Sequence, residues 1–389
     1  MKLLYVVDTW PHLTETFVLR EILAASKRHD VRVLALEEGT GQVQPEAWAL
    51  TDRVRFLPRV LARKPAEFAT RHPIPFARAS LAAARTREES GLERFSKLLS
   101  KAEILREWGV ERIHAHFARW ATAAAEVLSA ATGAPFGFTA HAYDVFESPL
   151  RLADKARRAA WCVTCSAAAR REIQRTCGPV TAARFRVIRH GVDLSHFCPS
   201  YGTRPPGTFR LLHVGSLIPL KRHDVLIDAL AKLDADRVPF EARFIGGGPE
   251  EAAIRRQVEQ RGLSSVIRVE GARPMEEVRA AMRGWADVLA ILSTREGLPN
   301  VVGEAMACGI PVVGTQVGGI PEMLKDGVTG FFVPLGDAAA TAAVLERLAG
   351  DAGLRARLGL AARAHAEAVF DANRNLGELF ARIEAGDGG

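Results

Sequence analysis

Short apolar runs alternate with amphipathic stretches along most of the chain, and this alternation predicts parallel β-sheets flanked by helices. In the first half, strands are predicted at residues 3–7, 31–36, 112–116, 136–139, 161–164 and 185–188. In the second half, they are predicted at residues 211–214, 242–245, 267–270, 288–292 and 311–314. Continuous apolar runs are typical of strands buried on both faces, so two doubly wound, Rossmann-like α/β domains are expected.

A polar, proline-rich segment, CPSYGTRPPGT at residues 198–208, separates the two series and predicts a linker. The domains are therefore expected at 1–197 and 198–370, with a final helix over 371–389. A chain of 389 residues has the length of two domains of ordinary size.

The net charge of +7 favours an acidic ligand or surface. Basic residues are frequent from Arg53 to Arg112 among alanines, leucines and phenylalanines. Such helices bind anionic lipid, but the same pattern also fits a solvated arginine-rich face. No apolar run reaches the length of a membrane-spanning helix, and no motif for reading nucleic acid is present.

The cysteines and the first strand favour a cytoplasmic protein, with peripheral attachment to the inner face of the plasma membrane as a further hypothesis. Five cysteines do not make a disulfide framework. Cys162 and Cys165 form a C-x-x-C, but they fall in a predicted buried strand with no second ligand pair. The first apolar run stops at Asp8 without a cleavage site, which predicts a strand rather than a signal peptide.

Two carboxylates, Glu296 and Glu304, lie eight residues apart around a predicted helix start. Pro299 suits the first turn of that helix, and Gly309 with Pro311 ends it. A glycine-flanked helix N-terminus presents unpaired N–H groups that favour a phosphate. One carboxylate ahead of the helix and one inside it suggest a sugar nucleotide as the ligand.

The run EGLPNVVGEAMACGIPVV resembles the E-x7-E signature of the retaining glycosyltransferases of family four, which have the GT-B fold. Further segments resemble the same family, in the branch that builds bacterial surface polysaccharides. They are HVGSL at 213–217 with Lys221, IGGGP at 245–249, TETF at 14–17, HAHF at 114–117, TAHAYD at 139–144 and HGVD at 190–193. The resemblance implies two Rossmann-like domains facing each other across a cleft, with the last helix packed back on the first domain.

By this resemblance the second domain binds the nucleoside-diphosphate sugar. Lys221 neutralises the diphosphate, Glu296 lies near the transferred sugar and Glu304 accepts hydrogen bonds from ribose hydroxyls. The remaining donor-side positions that the resemblance implies are Gly215, Ser216, Arg222, Gly248, Gly271, Arg273, Gly297, Leu298, Pro299 and Asn300. Arg273 equally fits a surface charge.

The resemblance places acceptor contacts in the first domain. His141, in the loop after a strand, is implied at the reaction centre with Glu296 and Lys221. The other acceptor-side positions are Thr14, Glu15, Thr16, His116 and Asp144. Two alternatives stay open: His116 packs in the core, or Thr14 and Phe17 cap and staple a helix.

The chain departs from the family pattern at Ser216, where an arginine is usual, and at His190, where asparagine is common. Serine cannot supply the missing cation to a diphosphate. Arg222 is placed to compensate, although it occupies a position that is usually glycine.

The resemblance implies a metal-independent, retaining hexosyltransferase without a cofactor, acting on a glycan or lipid-linked acceptor. Two alternatives are a degenerate homologue that binds a sugar nucleotide or a partner transferase, and a sugar-nucleotide epimerase. A glycosidase built on Glu296 and Glu304 leaves Lys221 and the glycine turns unexplained. A nicotinamide dehydrogenase lacks its G-x-G-x-x-G after the first strand.

Overall fold

A computed structural model describes residues 1–12, 15–39, 44–58, 64–149, 151–199 and 207–386. The chain divides into two compact units. Unit 1 comprises residues 1–188 with 376–389, and unit 2 comprises residues 189–375. The predicted boundary at 197/198 differs because Val192 forms a parallel bridge with Asp371 and donates its N–H to the Phe370 carbonyl, 2.6 Å away. Residues 200–206 of the predicted linker lie outside the described residues.

Unit 1 contains a seven-stranded sheet in the order β3-β2-β1-β4-β5-β6-β7. Its paired strands run parallel. The strands are β1 (Lys2–Trp10), β2 (Asp30–Glu38), β3 (Val54–Phe56), β4 (Arg112–His116), β5 (Phe136–Ala140), β6 (Trp161–Thr164) and β7 (Phe185–Val187).

The helices of unit 1 are α1 (Thr16–Ser26), α2 (Lys64–Arg71), α3 (Pro73–Arg85), α4 (Arg87–Trp108), α5 (Trp120–Thr132), α6 (Leu152–Arg158), α7 (Ala167–Cys177) and α8 (Pro179–Ala183). A 3₁₀-helix covers Pro45–Arg53 and a π-helical turn covers Tyr143–Glu147.

The sheet of unit 1 is buried on both faces. Along β1, Leu4 and Val6 pack into one hydrophobic core, whereas Leu3, Tyr5 and Val7 pack into the other. This alternation follows from the two-residue period of a strand and explains why the run is apolar throughout.

Unit 2 contains a six-stranded sheet in the order β10-β9-β8-β11-β12-β13, again with parallel pairing. The strands are β8 (Phe209–Val214), β9 (Phe240–Ile245), β10 (Ile267–Gly271), β11 (Val288–Ile291), β12 (Val312–Thr315) and β13 (Gly330–Val333). The helices are α9 (His223–Ala235), α10 (Glu251–Gln260), α11 (Met275–Gly284), α12 (Asn300–Ala307), α13 (Ile320–Met323), α14 (Ala338–Gly350) and α15 (Ala352–Val369). A 3₁₀ turn covers Pro219–Lys221.

The last helix, α16 (Ala372–Ala385), joins the second core of unit 1 through Leu379, Phe380 and Ile383. Arg112 of β4 donates to the Ile383 carbonyl, 3.3 Å away. No helix among the described residues is both long enough and apolar enough to span a bilayer.

The two doubly wound sheets confirm the predicted fold class, and each run predicted to be a strand is one. The structure adds two strands at sheet edges, β3 and β13, of three and four residues. Runs this short carry little periodic signal, which is why the sequence pattern did not reveal them.

One glycine of β5 makes room for an indole. A methyl group on Gly137 would overlap the ring of Trp161, which is 1% exposed and lies on the neighbouring strand β6. We expect Gly137→Ala to reduce the free energy of unfolding by about 1–3 kcal/mol, because close-packed cores absorb an added methyl group poorly. Denaturant unfolding of the whole chain measures this change.

Gly377→Ala is the matched control, because Gly377 lies in α16 with no atom within 4 Å of an added methyl group. This variant is expected to keep or slightly raise stability, since alanine favours a helix. Equal unfolding curves for Gly137→Ala and the control would contradict the packing argument.

Candidate functional site

Each sheet reverses its strand order once, and ligands of open α/β sheets bind at the carboxyl ends of the strands beside such a reversal. In unit 2 the reversal lies between β8 and β11. The chain leaving β8 runs through Gly215 and Ser216 to Lys221. The chain leaving β11 runs through Ser293 and Glu296 to α12.

A close ion pair joins these two segments. The Lys221 Nζ lies 2.5 Å from Glu296 Oε1, which also accepts a hydrogen bond from the Ser293 hydroxyl at 2.6 Å. The Lys221 and Glu296 side chains are only 14% and 10% exposed. The structure therefore brings two of the three predicted catalytic residues together, next to the N-terminus of α12.

Two glycines allow backbone segments to approach this site. A methyl group on Gly248 would overlap the Leu217 carbonyl, and one on Gly318, whose φ is +53°, would overlap the carbonyl of Glu296. The glycine turns seen in the sequence thus let neighbouring backbone lie close to the Gly215–Leu217 segment and to the Glu296 segment.

The α12 helix begins where the sequence predicted. Pro299 is its N-cap residue and Asn300 its first residue, with Gly297 and the buried Leu298 just ahead. Gly309 follows the helix in the left-handed region, with φ +71°. Glu304 lies inside the helix and is 3% exposed, so it is not a solvent-facing helix acid.

The remaining donor-side residues are placed as follows. Arg222 holds Asp224 through a two-pronged contact with bonds of 2.9 Å, so its guanidinium already has a carboxylate partner. Gly271 ends β10 with φ +74°. Arg273 is 41% exposed and lies 3.8 Å from Glu270 and Glu277, as expected for a surface charge.

A buried imidazole pair lies behind the Lys221 segment. His213 Nδ1 lies 3.0 Å from the Ala290 carbonyl, so Nδ1 carries a proton and Nε2 accepts. His223 Nε2, 3.0 Å from His213 Nε2, is then the donor. Burial lowers the pKa of His213 well below its ordinary value, and burial together with Lys221 lowers the pKa of His223 to about 4. Both rings are neutral at physiological pH.

In unit 1 the reversal lies between β1 and β4. Asp8 lies near the end of β1, His116 ends β4, and His141 directly follows β5. His116 Nδ1 is 3.1 Å from His141 Nε2, and both side chains are at most 5% exposed. The parallel register that pairs His116 with Thr139 brings these two predicted residues together.

The His141 ring is held on several sides. Its centroid lies 4.9 Å from that of Phe17 and 4.5 Å from that of Phe117. The His141 backbone N–H donates to Asp144 Oδ2 at 2.8 Å. Asp144 is therefore, in this structure, a buried residue that holds the loop carrying His141.

Three carboxyls of unit 1 have raised pKa values. Burial raises the pKa of Asp8 to about 6 and that of Asp144 to about 7, although hydrogen bonds from backbone N–H groups act to lower both values. Burial, with the charges of Asp8 and Asp144, raises the pKa of Glu15 to about 7 although His116 opposes the shift. These groups change their charge near neutral pH.

At the start of α1, Glu15 is the N-cap residue and Thr16 the first helical residue. Phe17 packs against the His141 ring. Thr14 lies outside the described residues, so both its acceptor-side role and its capping role stay predictions.

The sequence analysis did not name three residues that lie in these regions. They are Ser293, which bonds to Glu296, Asp8, near the end of β1, and Glu21 of α1, whose Oε1 lies 3.1 Å from His116 Nε2. Glu21 was detectable, because it is an acid on the apolar stripe of α1 formed by Val18, Ile22 and Ala25. Ser293 gave no such signal, since serine is common at the ends of strands.

The C-x-x-C segment is structural. Cys162 lies in β6, Cys165 is buried just after it, and Ser166 caps α7 by accepting from the Ala169 N–H at 3.1 Å. Burial raises the pKa of the Cys162 thiol to about 12, so it is unreactive at physiological pH.

Known structures share this two-unit architecture. The structure of Anabaena HepE in complex with UDP covers 99% of this chain and is itself covered over 100% of its length. The TM-score is 0.75 and the sequence identity 19%. The protein thus belongs to the GT-B fold class, as the sequence predicted.

Two family models cover most of the sequence. "Glycosyltransferase Family 4" matches residues 14–196, and "Glycosyl transferases group 1" matches residues 202–365. The chain belongs to the glycosyltransferase family that these models describe, which confirms the family resemblance.

Curated relatives include proteins named for colanic acid and amylovoran biosynthesis. WcaL of Salmonella typhimurium, provisionally named a colanic acid biosynthesis glycosyltransferase, is 39% identical over 168 residues, which are 42% of this chain and 41% of WcaL. The amylovoran biosynthesis glycosyltransferase AmsK of Erwinia amylovora is 32% identical over 211 residues, 52% of each chain. The chain thus spans about half the length of the curated relatives it matches, or less.

The raised pKa of Glu15 predicts a pH-dependent effect on stability. A carboxyl whose pKa is higher in the folded than in the unfolded protein lowers the free energy of unfolding as pH rises through both values. Glu15→Gln removes this charge. We expect the variant to be more stable than the original protein by about 1–3 kcal/mol near pH 8 and to match it near pH 4.

Thermal unfolding of both proteins across this pH range measures the difference. Glu46→Gln, at an exposed glutamate of the 3₁₀-helix, is the control and should give a pH-independent difference. If the difference in stability between Glu15→Gln and the original protein does not grow with pH, burial does not raise the pKa of Glu15.

Proposed function

We propose that this protein is a retaining glycosyltransferase that moves a hexose from a nucleoside-diphosphate sugar to a glycan or lipid-linked acceptor in surface polysaccharide biosynthesis. The observation that carries the proposal is the Lys221–Glu296 pair beside the N-terminus of α12, at the strand-order reversal of unit 2.

The site suits a diphosphate for electrostatic reasons. A lysine ammonium is a compact cation, and a helix N-terminus adds unpaired N–H groups and a partial positive charge. Both act on the charge that develops as the nucleoside diphosphate leaves. In the proposed complex, Lys221 turns from Glu296 towards the phosphate, and Glu296 accepts from the sugar.

The comparisons support the choice of substrates to test. HepE structures were solved with UDP and with UDP-glucose, so uridine donors come first. WcaL and AmsK carry the names of polysaccharide biosynthesis enzymes, which supports a glycan or lipid-linked acceptor.

Within this proposal Glu304 holds the ribose, and His141 with Glu15, Thr16, His116 and Asp144 serves the acceptor side. The chain's own cations stabilise the leaving group, and the donor phosphate takes the acceptor's proton. Activity is therefore expected to survive a chelator, and the product's anomeric configuration should match the donor's.

Transfer assays with UDP-, GDP-, ADP- and TDP-sugars test the proposal, with released diphosphate and the anomeric NMR signal of the product as readouts. Lys221→Ala is expected to reduce kcat by about 10²–10³-fold, because it removes a cation that acts mainly on the developing charge.

Lys232→Ala, at an exposed lysine of α9 in the same unit, is the control and should keep full activity. Equal loss in both variants, or no loss in Lys221→Ala, would remove Lys221 from the mechanism. No transfer and no thermal stabilisation by any donor would favour a degenerate homologue.

A membrane-associated acceptor adds a further part to the proposal. On α3, Ile74 and Leu81 are 65% and 54% exposed and lie two turns apart on one face, with exposed Arg78 and Arg85 beside them. Apolar and basic side chains on one helical face suit an anionic lipid surface. The side chains of Arg59, Arg63, Lys64 and Arg87 of the basic region lie outside the described residues.

Sedimentation with phosphatidylglycerol vesicles tests this surface. The double variant Ile74→Glu with Leu81→Glu is expected to lose most vesicle binding, because it places two charges on the apolar stripe. Leu360→Glu, at a leucine of α15 that is 75% exposed, is the control. Undiminished binding of the double variant would show that α3 is not the contact surface.

A further inference from the structure

Three buried polar side chains form a continuous row in unit 1. Glu21 Oε1 of α1 lies 3.1 Å from His116 Nε2, and His116 Nδ1 lies 3.1 Å from His141 Nε2. Each of the three residues is at most 5% exposed. The row therefore connects a helix on one face of the sheet with the strand-end loop that carries His141.

The first contact places a negative charge beside His116 Nε2. Burial raises the pKa of Glu21, but the neighbouring His116, His114 and Tyr5 outweigh it and hold this pKa below its ordinary range. Glu21 is thus an ionised group that only accepts. The Glu21 carboxylate, 3.1 Å away, favours the tautomer of His116 with its proton on Nε2, although the two atoms do not meet the geometry of a hydrogen bond.

The second contact then couples His116 to His141. When His116 is neutral with its proton on Nε2, its Nδ1 accepts a hydrogen bond from the His141 Nε2–H, and the outer nitrogen of His141, Nδ1, is an acceptor. When His116 takes up a proton on Nδ1, it donates to His141 Nε2, and His141 Nδ1 carries the proton instead. Which ring nitrogen of His141 carries the proton therefore depends on the protonation of His116, and His116 in turn lies beside the charge of Glu21.

The same carboxylate also lies near His114, and ligand atoms of Glu21, His114 and His116 lie within 4.8 Å of one another. A metal site is nevertheless a poor fit. The Trp161 indole N–H donates to His114 Nδ1 at 3.0 Å, so Nε2 of the neutral ring holds the proton and points to Thr139 Oγ1 at 3.1 Å. His114 thus has no free lone pair for an ion.

Other titratable groups lie near the row formed by Glu21, His116 and His141. Tyr5 of β1 lies beside Glu21, and burial with the Glu21 charge raises the pKa of its hydroxyl well above its ordinary value, so it stays neutral. Glu15, beside His116, is influenced by Asp8 and Asp144, and Asp144 lies near Lys155 of α6. Burial lowers the pKa of His114 to about 3 and keeps that ring neutral.

We propose that Glu21 and His116 are positioning residues that set the tautomer and the proton affinity of His141. The inference rests on the proposed function for its catalytic meaning, but the coupling of the three side chains is a property of the folded chain alone. We expect the ionised Glu21 to stabilise a positive charge on His141 through the row of contacts, because opposite charges attract strongly where water is excluded.

The test combines NMR with kinetics on the full chain. In protein labelled with ¹⁵N-histidine, the ring signals of His116 and His141, assigned with His116→Gln and His141→Gln, are followed against pH. Coupled rings titrate together, so both sets of signals are expected to change over the same pH range in the unaltered protein. Independent midpoints for the two rings would overturn the proposal, and this arm needs no variant of Glu21.

Glu21→Gln keeps the shape of the side chain and removes its charge. We expect the midpoint of the His141 titration to fall by about one pH unit or more. The acidic limb of the pH profile of kcat should move by the same amount, while KM for the donor changes little. A folded Glu21→Gln variant with an unmoved His141 titration would overturn the proposal.

Glu384→Gln is the matched control. Glu384 Oε1 lies 3.2 Å from His29 Nε2, so this variant removes the charge of another carboxylate–imidazole pair in unit 1. It should change the His29 signal and leave both the His141 titration and the pH profile in place.

The two proposals fail separately. If Glu21→Gln shifts the His141 titration but no donor supports transfer, the coupling stands and the proposed activity fails. If transfer occurs and neither the titration nor the pH profile responds to Glu21→Gln, the activity stands and the coupling fails.

Discussion

The ion pair between Lys221 and Glu296 is the interaction on which the candidate donor site depends. A pair that is nearly removed from water loses much hydration, and its attraction offsets this loss only when the remaining polar atoms are satisfied. The Ser293 hydroxyl supplies one such bond to Glu296 Oε1. The pair ties the segment after β8 to the segment after β11, so the two neighbours at the strand-order reversal are fixed relative to each other.

The backbone around this pair is shaped to allow it. Gly318 lets a second turn approach the Glu296 carbonyl, and Gly248 lets another approach the Leu217 carbonyl. Both contacts exclude a side chain at the glycine. The Lys221 ammonium lies at the end of a flexible four-carbon stem, and in the proposed complex it turns from Glu296 to the phosphate of the donor.

Much of the fold and part of the site could be predicted from the sequence, for identifiable reasons. Buried parallel strands leave long apolar runs, so the inner strands were found, whereas β3 and β13 at the edges are too short to show a period. Pro299 and Gly309 marked the limits of α12 because their backbone preferences are strong. The Lys221–Glu296 contact joins residues 75 positions apart, and only the strand order makes them neighbours.

The compensating role predicted for Arg222 stays a prediction. In the structure the Arg222 guanidinium contacts Asp224, as the Lys221 ammonium contacts Glu296. Spacing places Arg222 beside Lys221 and near Asp224, but it does not show that the guanidinium and the carboxylate are in contact, because side-chain geometry decides that.

The two units place buried imidazole pairs beside the ends of their sheets, yet with different electrostatic surroundings. In unit 2 the Ala290 carbonyl fixes the tautomer of His213, and burial, with a smaller effect of Lys221, lowers the pKa of both rings, so that pair stays neutral and its pattern of donors is fixed. In unit 1 the neighbour of the imidazole pair is the carboxylate of Glu21 instead of a backbone carbonyl, so a full negative charge lies beside His116.

The ionisation of each of these acids in unit 1 depends on the groups around it. Glu21 faces imidazoles and stays ionised, whereas burial, with smaller contributions from neighbouring acids, raises the pKa values of Glu15 and Asp144 to about 7. These two carboxyls therefore gain charge over the same pH range in which a histidine ordinarily loses it. Glu21 thus keeps its negative charge beside His116 over the pH range in which Glu15 and Asp144 gain theirs.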